Sequence, residues 1–135
     1  MAQDANLTLQ ASVTKTANFN GAWVNLKGLL GGRSAWAHVF YSAATNASGA
    51  NSVTFSLDVS PDGGTTAYTG AFSASDQVIN LSTTAQQGEL SIPFNLLDKT
   101  LLAGATPAVR LVATFAGAGS TPTITYQGAL EMGFN

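Results

Sequence analysis

The stretch Ser52-Val-Thr-Phe-Ser-Leu-Asp-Val-Ser60 decides the fold. Val53, Phe55, Leu57 and Val59 alternate with Thr54, Ser56 and Asp58. A period of two turns apolar side chains to one face and polar ones to the other, the pattern of a strand lying on a core. The pattern recurs at Leu7–Val13, at Leu90, Ile92, Phe94 and Leu96, and at Ile124, Tyr126, Leu130 and Met132. Further strand candidates are Ala22–Leu29, Ala35–Tyr41, Thr66–Phe72, Gln77–Leu81 and Val109–Phe115. That makes about nine short strands separated by turn-rich segments, the signature of a sandwich or barrel.

Helical spacing occurs only at Asn95–Leu102, where a single turn of helix is predicted, stopped by Ala103-Gly104. Pro93 inside an otherwise good strand predicts a sheet edge, because proline cannot donate to a ladder. The small-residue segments Ser42–Ser52 (SAATNASGANS) and AGAGSTP after Phe115 predict long surface loops. No internal repeat is present, which argues against a propeller or solenoid. The expected architecture is one domain over residues 1–135, an all-β, antiparallel two-sheet β-sandwich, jelly-roll-like. An immunoglobulin-like sandwich without its cysteine pair is the alternative.

Composition narrows the function classes. The chain has 135 residues, 45% of them hydrophobic and only 9% charged, against about 25% charged in typical soluble domains. Its surface is therefore mostly Ser, Thr, Asn, Gln, Gly and Ala. Such a surface offers little charge repulsion and favours association. The five basic residues, Lys15, Lys27, Arg33, Lys99 and Arg110, are scattered, and the net charge is −2. A nucleic-acid partner needs clustered positive charge, so none is expected. With no cysteine there is no disulfide or thiolate chemistry. The N-terminus reads as no signal peptide and no apolar run is long enough to span a bilayer, so no membrane partner is expected.

The most structured motif is Asp58-Val-Ser-Pro-Asp-Gly-Gly-Thr-Thr-Ala-Tyr-Thr69. It opens like a calcium loop at Asp58, Ser60, Asp62 and Gly63, but the twelfth position is Thr69 where a bidentate glutamate belongs. Ser60, Asp62, Gly64 and Thr66 also resemble a sialidase Asp-box turn, with Ala67 in place of its tryptophan. That likeness implies a stable turn and no glycosidase activity. A hairpin accounts for the motif: Pro61 presets φ, Asp62 bonds its own backbone, and Gly63 and Gly64 take positive φ.

No catalytic, cofactor or metal site is expected. His38 is the only histidine and no G-x-S-x-G elbow is present. The carboxylates Asp4, Asp58, Asp62, Asp76, Glu89, Asp98 and Glu131 are spread along the chain with nothing to select a pair. Trp23, Trp36, Tyr41 and Tyr68 are candidates for a sugar-stacking platform, though packing is the commoner use of aromatics. Sequons begin at Asn6, Asn46 and Asn80.

The strand Ala35–Tyr41 is apolar on both faces, with Ala35, Ala37, Val39 and Tyr41 on one and Trp36 and Phe40 flanking His38 on the other. Such a strand is covered twice, which makes Trp36, His38 and Phe40 the candidate interface.

Taken whole, the chain resembles the small jelly-roll cement or decoration proteins of tailed-phage capsids. The likeness lies in size, absent cysteine, low charge, loops such as Ser42–Ser52 and the strand–turn Ser52–Tyr68. It implies a non-enzymatic virion protein on the capsid exterior, made in the host bacterial cytoplasm. Its partners would be the major capsid protein and further copies of itself in a symmetric homo-oligomer. A carbohydrate- or receptor-binding β-sandwich of a phage tail or secreted protein is the alternative.

Overall fold

The computed structural model describes residues 8–26, 34–95 and 106–132. They form ten strands: β1 (Thr8–Lys15), β2 (Phe19–Asn20), β3 (Val24–Asn25), β4 (Ser34–Thr45), β5 (Asn51–Ser60), β6 (Tyr68–Ser73), β7 (Ile79–Leu81), β8 (Gln86–Asn95), β9 (Ala108–Gly117) and β10 (Thr123–Met132). Every strand pairing is antiparallel. One sheet has the order β1-β10-β4-β8; the other has β2-β9-β5-β6, with β3 also on β9 and β7 also on β5. The chain changes sheet at every connection except β2–β3 and β5–β6–β7. This is the double Greek-key wrapping of a jelly roll.

The alternation read in the sequence places the core. Leu9, Ala37, Val39, Leu90, Ile92, Ile124, Tyr126 and Leu130 of the four-stranded sheet face Val53, Phe55, Leu57, Leu111 and Ala113 of the six-stranded sheet, all buried. Each large aliphatic or aromatic side chain removed from water in this way contributes about 1.5–3 kcal/mol. Tyr126 and Phe55 meet edge to face at the centre, ring centroids 4.9 Å apart. Burial pushes the Tyr126 phenol up to about 12, and its hydroxyl has no hydrogen-bond partner.

Three sequence expectations change. Within the strand expected at Ala22–Leu29 only the two-residue β3 forms, on β9, and the equally short β2 precedes that range on the same partner strand; residues 27–29 lie outside the described residues. The strand expected to end at Tyr41 continues to Thr45 through a bulge, where Ala43 adopts a φ of 49° and the register slips between Tyr41 and Ala44. The bulge turns both Tyr41 and Ala44 toward the core, a break in alternation that reads as loop in sequence. The two long loops consequently shrink and pin one another. Ala47 N–H donates to Ser120 O at 2.9 Å, Ser120 N–H to Ser48 O at 2.8 Å and Gly119 N–H to Ala50 O at 3.0 Å. Within them Asn46 is buried, its amide NH₂ spent on Gly49 O and Asn51 Oδ1, each at 3.0 Å, so the Asn46 sequon is structural in the folded chain. Pro93 does lie on an edge strand, β8. Of the helical turn expected at Asn95–Leu102, only Asn95 is among the described residues, and it ends β8.

Asp58 occupies an outward position of β5 yet is buried. Its Oδ2 accepts from Arg110 Nε at 2.9 Å, across the β5–β9 pair, and its Oδ1 from Gly70 N–H at 2.9 Å. Gly70, at φ 63°, belongs to a bulge in β6, where pairing jumps from Leu57↔Phe72 to Val59↔Tyr68. The Arg110 guanidinium in turn stacks on Trp23, 4.4 Å from the ring centroid. Arg110→Ala would leave Asp58 buried with one backbone donor. It should cost on the order of 3 kcal/mol in urea unfolding, whereas a loss under about 1 kcal/mol would mean the carboxylate finds water instead.

Candidate docking face

The two outer faces of the sandwich differ. Thr54, Ser56, Val112 and Thr114 lie outward on the six-stranded sheet, and Trp23 beside them is already stacked on Arg110 and over Gly64, where an added Cβ would meet the indole at 2.5 Å. The outward row of β4 in the four-stranded sheet is Trp36, His38 and Phe40, each half-buried. The register gives them neighbours on both sides. Trp36 sits between Pro93 and Glu131, His38 between Ser91 and Ala129, and Phe40 between Glu89 and Gln127. Beside Phe40 a depression of 260 Å³ is lined by Ser12, Ser42, Thr125 and Gln127. The three residues expected at an interface are thus brought together on one sheet face.

His38 is clasped across three strands. Its Nε2 contacts the Glu131 carboxylate of β10, and its Nδ1 lies 2.8 Å from Ser91 Oγ of β8. A carboxylate only accepts. With the imidazole neutral, the proton therefore sits on Nε2, and Nδ1 accepts from the Ser91 hydroxyl. The three are linked in the order of a Ser-His-Glu relay but with the two ring nitrogens exchanged, and the linkage was not read in the sequence because the three residues are 40 or more positions apart with no motif between them. Ser91 stands in mid-strand, and strand N–H groups lie in the sheet plane at right angles to the side chains. What the clasp does is fix the imidazole between Trp36 and Phe40 and tie β8, β4 and β10 together on that face.

The four aromatics considered for a sugar platform are dispersed. Trp23 lies on the opposite outer face, Tyr41 packs against the core with its hydroxyl beside Gly88, and Tyr68 stands exposed at the start of β6. Among the described residues no group of three or more His, Cys, Asp or Glu comes together to hold a metal ion.

The Asp58–Thr69 motif forms the expected turn. Gly63 and Gly64 take φ of 73° and 109°, and Asp62 Oδ1 accepts from Thr66 N–H at 2.7 Å and Ser60 Oγ at 2.8 Å. The turn is tied to the rest of the sheet by Gly63 N–H donating to Thr106 O at 2.8 Å. Both carboxylates that would begin a calcium loop are therefore engaged, Asp58 by Arg110 and Gly70, Asp62 by Ser60 and Thr66.

Two outcomes follow for these groups. The backbone and side-chain donors of Thr66, then Ser60, hold the Asp62 carboxyl below its ordinary value of 3.8. Its contribution to stability is present above that value and is lost as pH falls through the lowered one. The melting-temperature gap between the wild type and Asp62→Asn should therefore shrink between about pH 6 and about pH 2; a constant gap would contradict the turn's role. Calcium titration by calorimetry should give no heat at micromolar affinity. For the face itself, sedimentation equilibrium at roughly 50 µM should show a discrete oligomer that Phe40→Glu converts to monomer. A monomeric wild type would count against self-association through β4.

No protein-family model matches the chain, and no curated protein matches it in sequence.

Proposed function

We propose that this chain is a structural protein of a phage virion, a cement or decoration protein that docks on the capsid exterior and stabilises the shell through protein–protein contacts. The observation that carries the proposal is the contrast between the two outer faces. One is small, polar and closed by the Trp23–Arg110 stack, while the other gathers Trp36, His38 and Phe40 in a row held in register by the His38 clasp. Aromatic anchors at the centre of a patch with a polar rim are the usual makeup of a binding hot spot. Glu89, Ser91 and Gln127 supply that polar rim here, with Pro93 beside Trp36.

The low charge supports the same function, since a surface that is covered in an assembly has little need of charge. Further support comes from the mutual pinning of the Asn46–Ala50 and Gly119–Thr121 loops, which presents a rigid body that pays little ordering entropy on docking. A symmetric oligomer would multiply a modest contact per copy into strong avidity. No chemistry is required of it.

The test is to heat purified capsids lacking the protein, with and without adding it back. The expected result is co-sedimentation with the shells and a higher rupture temperature, both lost with Trp36→Glu. Shells that neither bind the protein nor change their rupture temperature would defeat the capsid reading and favour the receptor-binding alternative.

A further inference from the structure

A second surface, distinct from the docking face, has the makings of a ligand site. At the end of the sandwich where β1 finishes and β10 begins, a groove of 430 Å³ is lined by Thr16, Asn18, Asn51, Phe115, Gly117 and Pro122 among others. That volume falls in the range of about 300–1,000 Å³ usual for small-molecule sites. None of the residues lining it is charged.

Its polar groups are held in place. Asn18 Oδ1 accepts from Phe115 N–H at 2.7 Å, which leaves its amide NH₂ as the outward donor. Asn51 is buried, and its Oδ1 accepts from the Asn46 amide at 3.0 Å, which again leaves the NH₂ to donate. Gly119 packs so closely on Asn51 that an added Cβ would lie 2.2 Å from Oδ1, so the amide has no room to swing that way. Thr16 adds a hydroxyl, and the half-buried Phe115 ring adds an apolar wall.

Two fixed amide donors, a hydroxyl and one aromatic surface, without charge, match a ligand rich in hydroxyl oxygens that also carries C–H faces. An anionic ligand would meet no compensating cation there. An extended peptide would want an open ladder, yet Phe115–Gly117 already pair with Asn51–Val53 of β5, and Asn18 takes the Phe115 N–H. We infer that the groove between Asn18, Asn51 and Phe115 binds a neutral saccharide. It adds a second binding activity to the proposed function and does not depend on it, because docking and saccharide binding use different surfaces and either can fail alone.

The test is a ¹H–¹⁵N NMR titration of the full chain with methyl glycosides of glucose, galactose, mannose and N-acetylglucosamine, each to about 20 mM, enough to load a site with Kd about 1 mM. At least one should shift amides of residues 16–18, 51 and 115–119 saturably. Ala17 is exposed in the groove wall, so Ala17→Trp should fill the groove, keep the folded spectrum and weaken binding at least tenfold. Silence with all four sugars would overturn the inference, as would shifts confined to Trp36–Phe40 or binding that survives Ala17→Trp. Shifts at the same amides produced by an acetylated tetrapeptide and by none of the sugars would overturn the saccharide assignment.

Discussion

A carboxylate carried on the outward side of a central strand and then covered must be neutralised where it stands. The contact between Asp58 and Arg110 meets that requirement, and much of the six-stranded sheet is arranged around it. The pair bridges β5 and β9. The second oxygen of Asp58 holds Gly70 and with it the bulge of β6, which interrupts an otherwise exposed edge. Arg110 provides the shelf on which Trp23 stacks, and Trp23 closes over Gly64 in the turn that Asp62 and Ser60 stabilise. One buried ion pair thereby links the chain entering β3, the β5–β6 turn and the edge strand. Removing either partner alone would be far worse than replacing both with apolar groups, because the penalty lies in the uncompensated charge.

Sealing one outer face has a consequence for the other. With Trp23 committed to the six-stranded sheet and Tyr68 standing alone at its edge, the row of neighbouring aromatics lies on β4, where Trp36 and Phe40 flank a histidine fixed from both sides. The end of the sandwich is different again, uncharged and built from amides, hydroxyls and glycine backbone. Shell attachment and ligand capture would then use a sheet face and a loop end of the same rigid body, a division the jelly-roll topology permits because its loops and its sheet faces are separate surfaces.

The fold was legible where alternation was clean. Val53–Val59, Leu90–Ile92 and Ile124–Leu130 each sit with the face expected of them, and Pro93 lies at an edge. Reading failed where the period of two is broken by something the sequence does not mark. The bulge at Ser42–Ala44 hid the last third of β4, and two-residue strands such as β2 and β3 carry too few residues to show a period. Asp58 read only as a polar-face position and the opening of a calcium-like loop, because its pairing partner, Arg110, lies 52 residues away. The same holds for the docking face. The row Trp36, His38 and Phe40 was visible from spacing alone, whereas Ser91 and Glu131 join it only through strand register. The Asn18–Asn51 groove left no local signal, since its parts come from three separate segments.

The central claim, that the β4 face of the four-stranded sheet is what the protein uses to hold its shell, is most directly tested by amide hydrogen exchange of the free and capsid-bound chain. Added protection concentrated in β4, β8 and β10 around Trp36–Phe40, with β6 and the Asp58–Thr69 turn unchanged, is the expected result. Protection centred on the six-stranded sheet, or none at all in a chain that co-sediments with shells, would contradict it.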